Sequence, residues 1–250
     1  MDNVNIDPET LEIQAPDYTT EIVEILKSNL SPKALKDKIM DYHENDIAAA
    51  MDLLEENERS KLYHILDSQT LSDILAYTEN IGLYFGELNI RKKVEILSHS
   101  EANTAVAYLQ ELPKAERATL IDLMDDDAKR EIALIASFDE DEIGSRMTTN
   151  YIHVHTGLNV KAAMKELIAQ AAEHDNISKI YVVDENHTFY GAIDLKDLII
   201  ARENTSIEDI LVTSYPYFYA HEPIERSIEK MKDYSEASIP VLDPNNKLLR

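Results

Sequence analysis

The chain has 250 residues, 44% of them hydrophobic and none of them cysteine, which leaves room for one or two domains with real cores and excludes disulfide, thiolate-metal and thiol redox chemistry. Its 48 acidic against 24 basic residues, a net charge of −24, exclude nucleic acid and anionic lipid as partners, because both require a basic face. No run approaches the roughly 18 apolar residues of a membrane span, and the polar start MDNVNIDPET is not a signal peptide.

Residues 1–17 read as a disordered or extended N-terminus. From about Tyr18 to Ser137 the apolar residues recur at helical spacing, as in Ile22, Ile25 and Leu26, or Ile47, Ala50, Met51 and Leu54. Helix starts are marked by Ser31-Pro32, a capping hydroxyl before a first-turn proline, and by Asp67 and Asp125 as candidate caps. Gly82 and Gly86, the two glycines of this half, suggest a loop around them. The half also repeats: IAAAMDLLEENERSKLYHILD (Ile47–Asp67) aligns without gaps on AVAYLQELPKAERATLIDLMD (Ala105–Asp125), and LNIRKKVEILSHS is a looser unit between them. Leu54, Glu58, Arg59, Leu62 and Asp67 fall on Leu112, Glu116, Arg117, Leu120 and Asp125. Helix pairs that bury their faces against neighbours predict an all-α superhelical solenoid over residues 18–137.

Residues 138–150 form a joint, DEDEIGSRMTTN after Phe138. Asp139, Asp141 and Gly144 stand at the first, third and sixth places of an EF-hand loop, but Ile143 and Asn150 occupy places that need an oxygen ligand and a bidentate Glu. A calcium loop is therefore not expected; Gly144 is expected to supply a permissive backbone where one body hands over to the next.

Beyond the joint the period changes. Strand-like YIHVH, KIYVV, FYGAI, YFYA and SIPVL alternate with amphipathic stretches at Val160–Ala172, Leu195–Ala201 and Ile224–Tyr234, which predicts a mixed α/β half. It is duplicated: MTTNY returns as LVTSY, and YVVDENHTFY as PVLDPNNKLL, giving modules at 151–205 and 206–250. His153 and His155 lie two apart on a strand and share a face, a spacing that suits a metal. With no third ligand evident, ordinary exposed strand residues are expected. Tyr215, Tyr217 and Tyr219 alternate on or beside a strand, as core or dimer-packing residues would. No GxSxG, GxxxxGK[ST] or HExxH signature is present, so no enzyme is expected.

The order MTTNYIHVHTGLNVKAAM, IYVVDENHTFYGAIDLKDLI and SIPVLDPNNKLL resembles a tandem pair of CBS domains. An acidic helical solenoid joined to such a pair resembles the cytosolic part of the MgtE family of magnesium channels. That family's joint reads acidic-acidic-x-G-x-x-M-T, matched here by Glu142, Gly144, Met147 and Thr148. The resemblance covers nearly the whole chain after Tyr18. It implies a multidomain α and α/β fold, a homodimer through the CBS domains, and a position at the cytoplasmic face of the cell membrane. It also implies a transmembrane pore domain following in the same chain, with the second CBS domain incomplete here because LLR breaks off where the first continues through GAIDLKDLII.

The resemblance further implies that the region senses cytosolic Mg²⁺, a hard cation that prefers carboxylate oxygen. Two carboxylates about 6 Å apart repel by ~3 kcal/mol at an effective dielectric near 20. A seam of such pairs would open without cations and close over them, and in the family this docking closes the pore. Asp73 and Glu225 match positions where the family presents metal-facing acids. Other such positions read Ser100, Thr104 and Ser235, with Glu101 and Glu236 one residue away as substitutes. The alternative is an adenine-nucleotide sensor, binding ATP or another adenine nucleotide, whose helical domain binds a partner. The CBS nucleotide motif appears as Gly191-Ala192-Ile193-Asp194-Leu195-Lys196-Asp197, in which Asp197 would hold the ribose hydroxyls. Asp194 replaces a hydroxyl residue, and a carboxylate there would repel phosphate. In a third option the acidic charge serves only solubility.

Overall fold

The structure, a computed structural model, describes residues 17–172, 174 and 176–249; residues 1–16, expected to be extended, lie outside the described residues. Ten helices precede the first strand among the described residues: α1 (Tyr18–Lys27), α2 (Pro32–Ile39), α3 (Glu44–Met51), α4 (Glu56–Ile65), α5 (Ser68–Leu75), α6 (Ile81–Glu87), α7 (Ile90–His99), α8 (Ala102–Glu111), α9 (Lys114–Leu123) and α10 (Asp126–Ile135). The expected caps are in place. Ser31 accepts from Ala34 N at 3.4 Å, Asp67 from Thr70 N at 3.0 Å and Asp125 from Ala128 N at 2.8 Å, each satisfying a first-turn donor that the helix leaves unpaired. The stretch around Gly82 and Gly86 is not a loop but α6. Ile81, Tyr84 and Phe85 bury one stripe of it, and that packing outweighs the low helix propensity of the two exposed glycines.

The helices divide by compactness at His99/Ser100, with α1–α7 in one unit and α8–α10 grouped with everything that follows. In the first unit α1 packs on α3, α3 on α5 and α5 on α7, so alternate helices form a continuous layer, as expected of a solenoid. In the second unit α8 packs on α10 in the same way. The boundary expected at 137/138 from the change of period therefore differs from the boundary set by packing. An apolar cluster of Ala102, Ile135 and Met147, joined by Val106, Phe138, Val241 and Leu249, holds α8 and α10 to the α/β half.

The internal repeat has a physical basis. α4 and α9 occupy equivalent stretches of the two aligned segments, and both carry an arginine that turns back on the preceding connection. Arg59 Nη1 donates to the carbonyls of Met51 and Leu54, and Arg117 Nη2 to those of Gln110 and Leu112. Leu54 and Leu112 are equivalent, as are the caps Asp67 and Asp125. In the first unit Arg59 also meets Glu87, with Nε to Oε2 at 3.0 Å and both side chains about nine-tenths buried. The Tyr63 hydroxyl donates to the same carboxylate at 2.7 Å. Burial works to raise the Glu87 carboxyl, but Arg59 and Tyr63 outweigh it and hold it below its ordinary value.

The joint is not a free linker. Residues Ile143–Arg146 form a single 3₁₀ turn pinned to the second α/β module: Ile143 N donates to Glu222 O at 2.9 Å, Gly144 N to Ala220 O at 2.9 Å, and Ile224 N to Asp141 O at 2.8 Å. Glu142 accepts from Asp139 N and lies 2.8 Å from His221 Nδ1; these contacts hold its carboxyl below the usual value. The backbone here is bound to protein. Gly144 corrects the expectation of a permissive conformation, since its φ is not positive. What requires glycine is space: a Cβ there would stand 2.6 Å from the Phe138 ring.

The α/β half contains β1 (Ile152–His155), α11 (Val160–Gln170), β2 (Lys179–Val183), β3 (Phe189–Asp194), α12 (Leu195–Ile200), β4 (Phe218–Tyr219), α13 (Ile224–Tyr234) and β5 (Val241–Leu242). β1 pairs parallel with β2, β2 antiparallel with β3, and β4 parallel with β5. Each module thus begins strand–helix–parallel strand, with β1, α11 and β2 answered by β4, α13 and β5. Ile152, Val154, Ile180, Val182 and Ile193 face one core with α11. The duplication extends to the turns. Asp184 Oδ1 accepts from Asn186 N and Thr188 N, Asp243 Oδ1 from Asn245 N and Lys247 N, and the third residue after each Asp, His187 or Asn246, takes a left-handed φ of 61° or 60°.

Two outcomes test these contacts. Glu87→Gln should destabilise the chain by about 3 kcal/mol, as for loss of one partner of a buried pair, measured by urea unfolding near neutral pH. Because the Glu87 carboxyl is depressed in the fold, its contribution is present above the unfolded value near pH 4.3 and lost as pH falls through the lower folded value, so the variant's deficit should shrink in acid. Gly144→Ala should cost ~1–3 kcal/mol through overpacking. Combined with Phe138→Ala, it should cost clearly less than the sum of the two single changes; strict additivity would show that the ring contact is not the cause.

Candidate functional site

The four acids proposed as metal ligands occupy different settings. Asp73 lies exposed on α5 in the first compact unit, where it accepts from Gln69 Nε2 at 2.9 Å. Glu101, exposed at the residue before α8, accepts from Asn150 Nδ2 at 3.3 Å. Glu225 is exposed in the first turn of α13, where the helix dipole favours an anion. Glu236 is different: it is half-buried, 2.7 Å from Lys179 Nζ, and accepts from the Tyr215 hydroxyl at 3.2 Å. Of the neighbouring substitutes for acids, Ser235 ends α13 in the left-handed region at φ 52°.

Lys179 organises this corner of the second unit. Its ammonium lies 2.7 Å from both Asp194 and Glu236 and 5.2 Å from the Tyr215 ring centroid. Burial works to depress it, but the two carboxylates outweigh that and hold its proton above the ordinary lysine value. Burial and the Glu236 charge push the Tyr215 hydroxyl up, and burial pushes Tyr181 up to about 12. Tyr215 sits in a buried cluster with Tyr151, Tyr181 and Ala192, while Tyr217 is exposed beneath Lys230.

The lysine alters the reading of the nucleotide motif. Asp194, expected to repel phosphate, is ion-paired with Lys179, which it shares with Glu236, so one positive charge faces two negative ones. Asp197 is half-buried in the first turn of α12. Gly191 is required by a crossing backbone, since a Cβ would meet Val212 O at 2.6 Å and Ala192 exchanges hydrogen bonds with Val212 at 3.2 and 3.0 Å.

The expectation that His153 and His155 lack a third ligand is overturned. His187, from the turn between β2 and β3, joins them, and one ligand atom from each residue lies within 4.8 Å of the other two. The hairpin makes this possible by folding its tip back beside β1. Nothing in the local spacing marks His187. The signal lies in the duplication, where DENH faces DPNN and histidine stands where its twin has the asparagine that a left-handed turn favours.

Residues 42–141 match the family described as MgtE intracellular N domain, and residues 141–204 match the CBS domain. The chain is 26% identical to the soluble part of a magnesium transporter, with a TM-score of 0.87 over 93% of this chain and 92% of that one. The chain thus carries a helical domain of the MgtE N type followed by a CBS domain. Relatives include the magnesium transporter MgtE of Thermus thermophilus, 28% identical over 87% of this chain and 49% of its own length, and that of Enterococcus faecalis, 26% identical over 78% and 44%. The chain therefore spans about half the length of the curated relatives it matches. A second solved structure, the cytosolic domain of the Mg²⁺ channel MgtE in complex with ATP, is 27% identical with a TM-score of 0.84, covering 92% of this chain and 94% of that one. The fold is accordingly the family's helical N-terminal domain followed by CBS structure. Among the described residues, no helix is long and apolar enough to cross a membrane.

Proposed function

We propose that the chain is the cytosolic Mg²⁺-sensing region of a magnesium channel or transporter, without enzyme activity, acting on a pore domain of the same protein. The observation that carries this reading is the match over more than nine-tenths of the chain to the soluble part of a magnesium transporter and to the cytosolic domain of the Mg²⁺ channel MgtE. The charge supports it: a net −24 spread over both halves repels itself until cations screen or bridge it. In this reading Mg²⁺ binds carboxylates of the helical domain and of the CBS pair and favours their docked arrangement, a population shift set by its differential affinity for the two states. Asp73, Glu101 and Glu225 offer exposed carboxylates for it. Glu236 takes part only where a cation displaces Lys179. A homodimer through the CBS domains belongs to the proposal, supported by exposed Ile168, Ile199, Ile200, Ile228 and Met231 on their helices.

Small-angle scattering across a MgCl₂ titration, matched in ionic strength with KCl, tests this directly. Mg²⁺-specific compaction is expected, and Asp73→Asn with Glu225→Gln should shift its midpoint to higher Mg²⁺. Identical profiles in the two salts would reject Mg²⁺ sensing.

A second reading, adenine-nucleotide binding to the CBS pair, is favoured by the ATP complex of the relative. Calorimetric titration with ATP should show binding that Asp197→Ala removes. Absence of heat with the unaltered chain would leave Asp197 structural.

A further inference from the structure

We propose that His153, His155 and His187 form a binding site for one transition-metal dication of the Zn²⁺ class, chemically separate from the Mg²⁺-facing acids. Three imidazoles are the donor set that borderline metals such as Zn²⁺, Co²⁺ and Ni²⁺ prefer, whereas Mg²⁺ prefers oxygen and keeps its waters. The three ligand atoms lie within 4.8 Å of one another, and the ring centroids are 5.7, 5.8 and 5.9 Å apart at interplanar angles of 64, 68 and 62°, so the rings are gathered in one cluster. Nitrogens bound to one tetrahedral Zn²⁺ at about 2.0–2.1 Å stand about 3.3 Å apart, a separation that small ring rotations reach. Glu166 stands beside them, its Oε2 3.4 Å from His155 Nδ1, as an orienting acceptor or an oxygen ligand.

The backbone beneath the cluster is built in advance. β1 is an edge strand, and side chains of α11 satisfy its outer edge. Gln170 accepts from His153 N at 3.2 Å and donates to His153 O at 2.7 Å, while Glu166 accepts from His155 N at 3.3 Å. His187 is held by the Asp184 turn, its N donating to Asp184 O at 3.0 Å and its carbonyl accepting from Leu248 N at 3.2 Å. Its left-handed conformation disfavours most side chains, and Asn246 fills the twin position. Histidine there gives the turn no conformational advantage over asparagine; what it adds is an imidazole facing the two on β1. An ion on these three residues would tie β1 to the tip of the β2–β3 hairpin, which itself pairs with the second module through Phe189 N to Asn246 O at 2.8 Å. Occupancy would thereby stiffen the contact between the two modules.

This inference does not rest on Mg²⁺ sensing, and its test separates the two. ZnCl₂ is titrated calorimetrically into the whole chain with MgCl₂ held at millimolar excess to occupy the acidic surface, and Co²⁺ absorption in the visible range reports coordination. One Zn²⁺ per chain is expected, with Co²⁺ giving the intense bands of a four- or five-coordinate nitrogen site. His187→Asn, which keeps the turn's own alternative residue and should leave the circular dichroism unchanged, should weaken Zn²⁺ at least about 100-fold, the upper end of what loss of even an outer-shell partner causes. Should that variant unfold, His155→Gln is read in the same way. No Zn²⁺ binding above the Mg²⁺ background, or equal binding by a folded variant, would overturn the proposal.

Discussion

The second unit depends on one close approach, in which the joint lies against the second module with Phe138 packed over Gly144. Two backbone donors, Ile143 and Gly144, reach the carbonyls of Glu222 and Ala220, and a third bond runs back from Ile224 to Asp141. None of these can form at their observed length if the joint stands away from the module. Only a residue without Cβ lets the aromatic ring close the other side, and that ring also meets His221 edge-on with centroids 5.3 Å apart. Because Phe138 and Met147 belong to the same apolar cluster as Ala102, Ile135 and Val241, the pinned joint carries α8 and α10 with it. A charged twelve-residue stretch that looks like solvent-exposed linker is thus the place where helices and strands of this unit are welded.

Two basic residues are used inside the fold, each against carboxylates. Arg59 is desolvated between Glu87 and the carbonyls of a helix connection, and Lys179 between Asp194 and Glu236. A buried cation without such partners would be strongly unfavourable, and either pair broken on one side leaves a desolvated charge. Asp73, Glu101 and Glu225 are among the acids left exposed on the surface. Three imidazoles, those of His153 and His155 on β1 and of His187 from the neighbouring hairpin, gather apart from these acids.

Much of this was legible in the residues because it depends on local periods and short spacings. The caps Ser31, Asp67 and Asp125 act where a side chain meets a backbone donor three residues on, so their neighbours in sequence are their neighbours in space. The alignment of Arg59 with Arg117 marked a repeat whose shared contact, a return to the carbonyl five residues earlier, is also local. Strand–helix alternation and the duplicated DENH and DPNN turns specified two modules of one kind. By contrast, α6 was hidden because two glycines lower helix propensity while the decisive stripe of Ile81, Tyr84 and Phe85 acts only through packing.

The sequence by itself determined the all-helical first half, the duplicated α/β second half, their resemblance to the magnesium-channel family and the acidic surface, since each follows from composition, period or short-range order. Tertiary structure alone decided the partners of single side chains across long separations. It placed Lys179 between Asp194 and Glu236, converting one expected source of phosphate repulsion and one expected metal ligand into an ion-pair network. It gave Gly144 a steric reason in place of a conformational one, and it delivered His187 to His153 and His155. For Lys179 and the three histidines the physical cause is strand pairing and hairpin closure, and for Gly144 it is the packing of the joint against the second module; local preferences end within a turn or two of each residue and record none of these contacts.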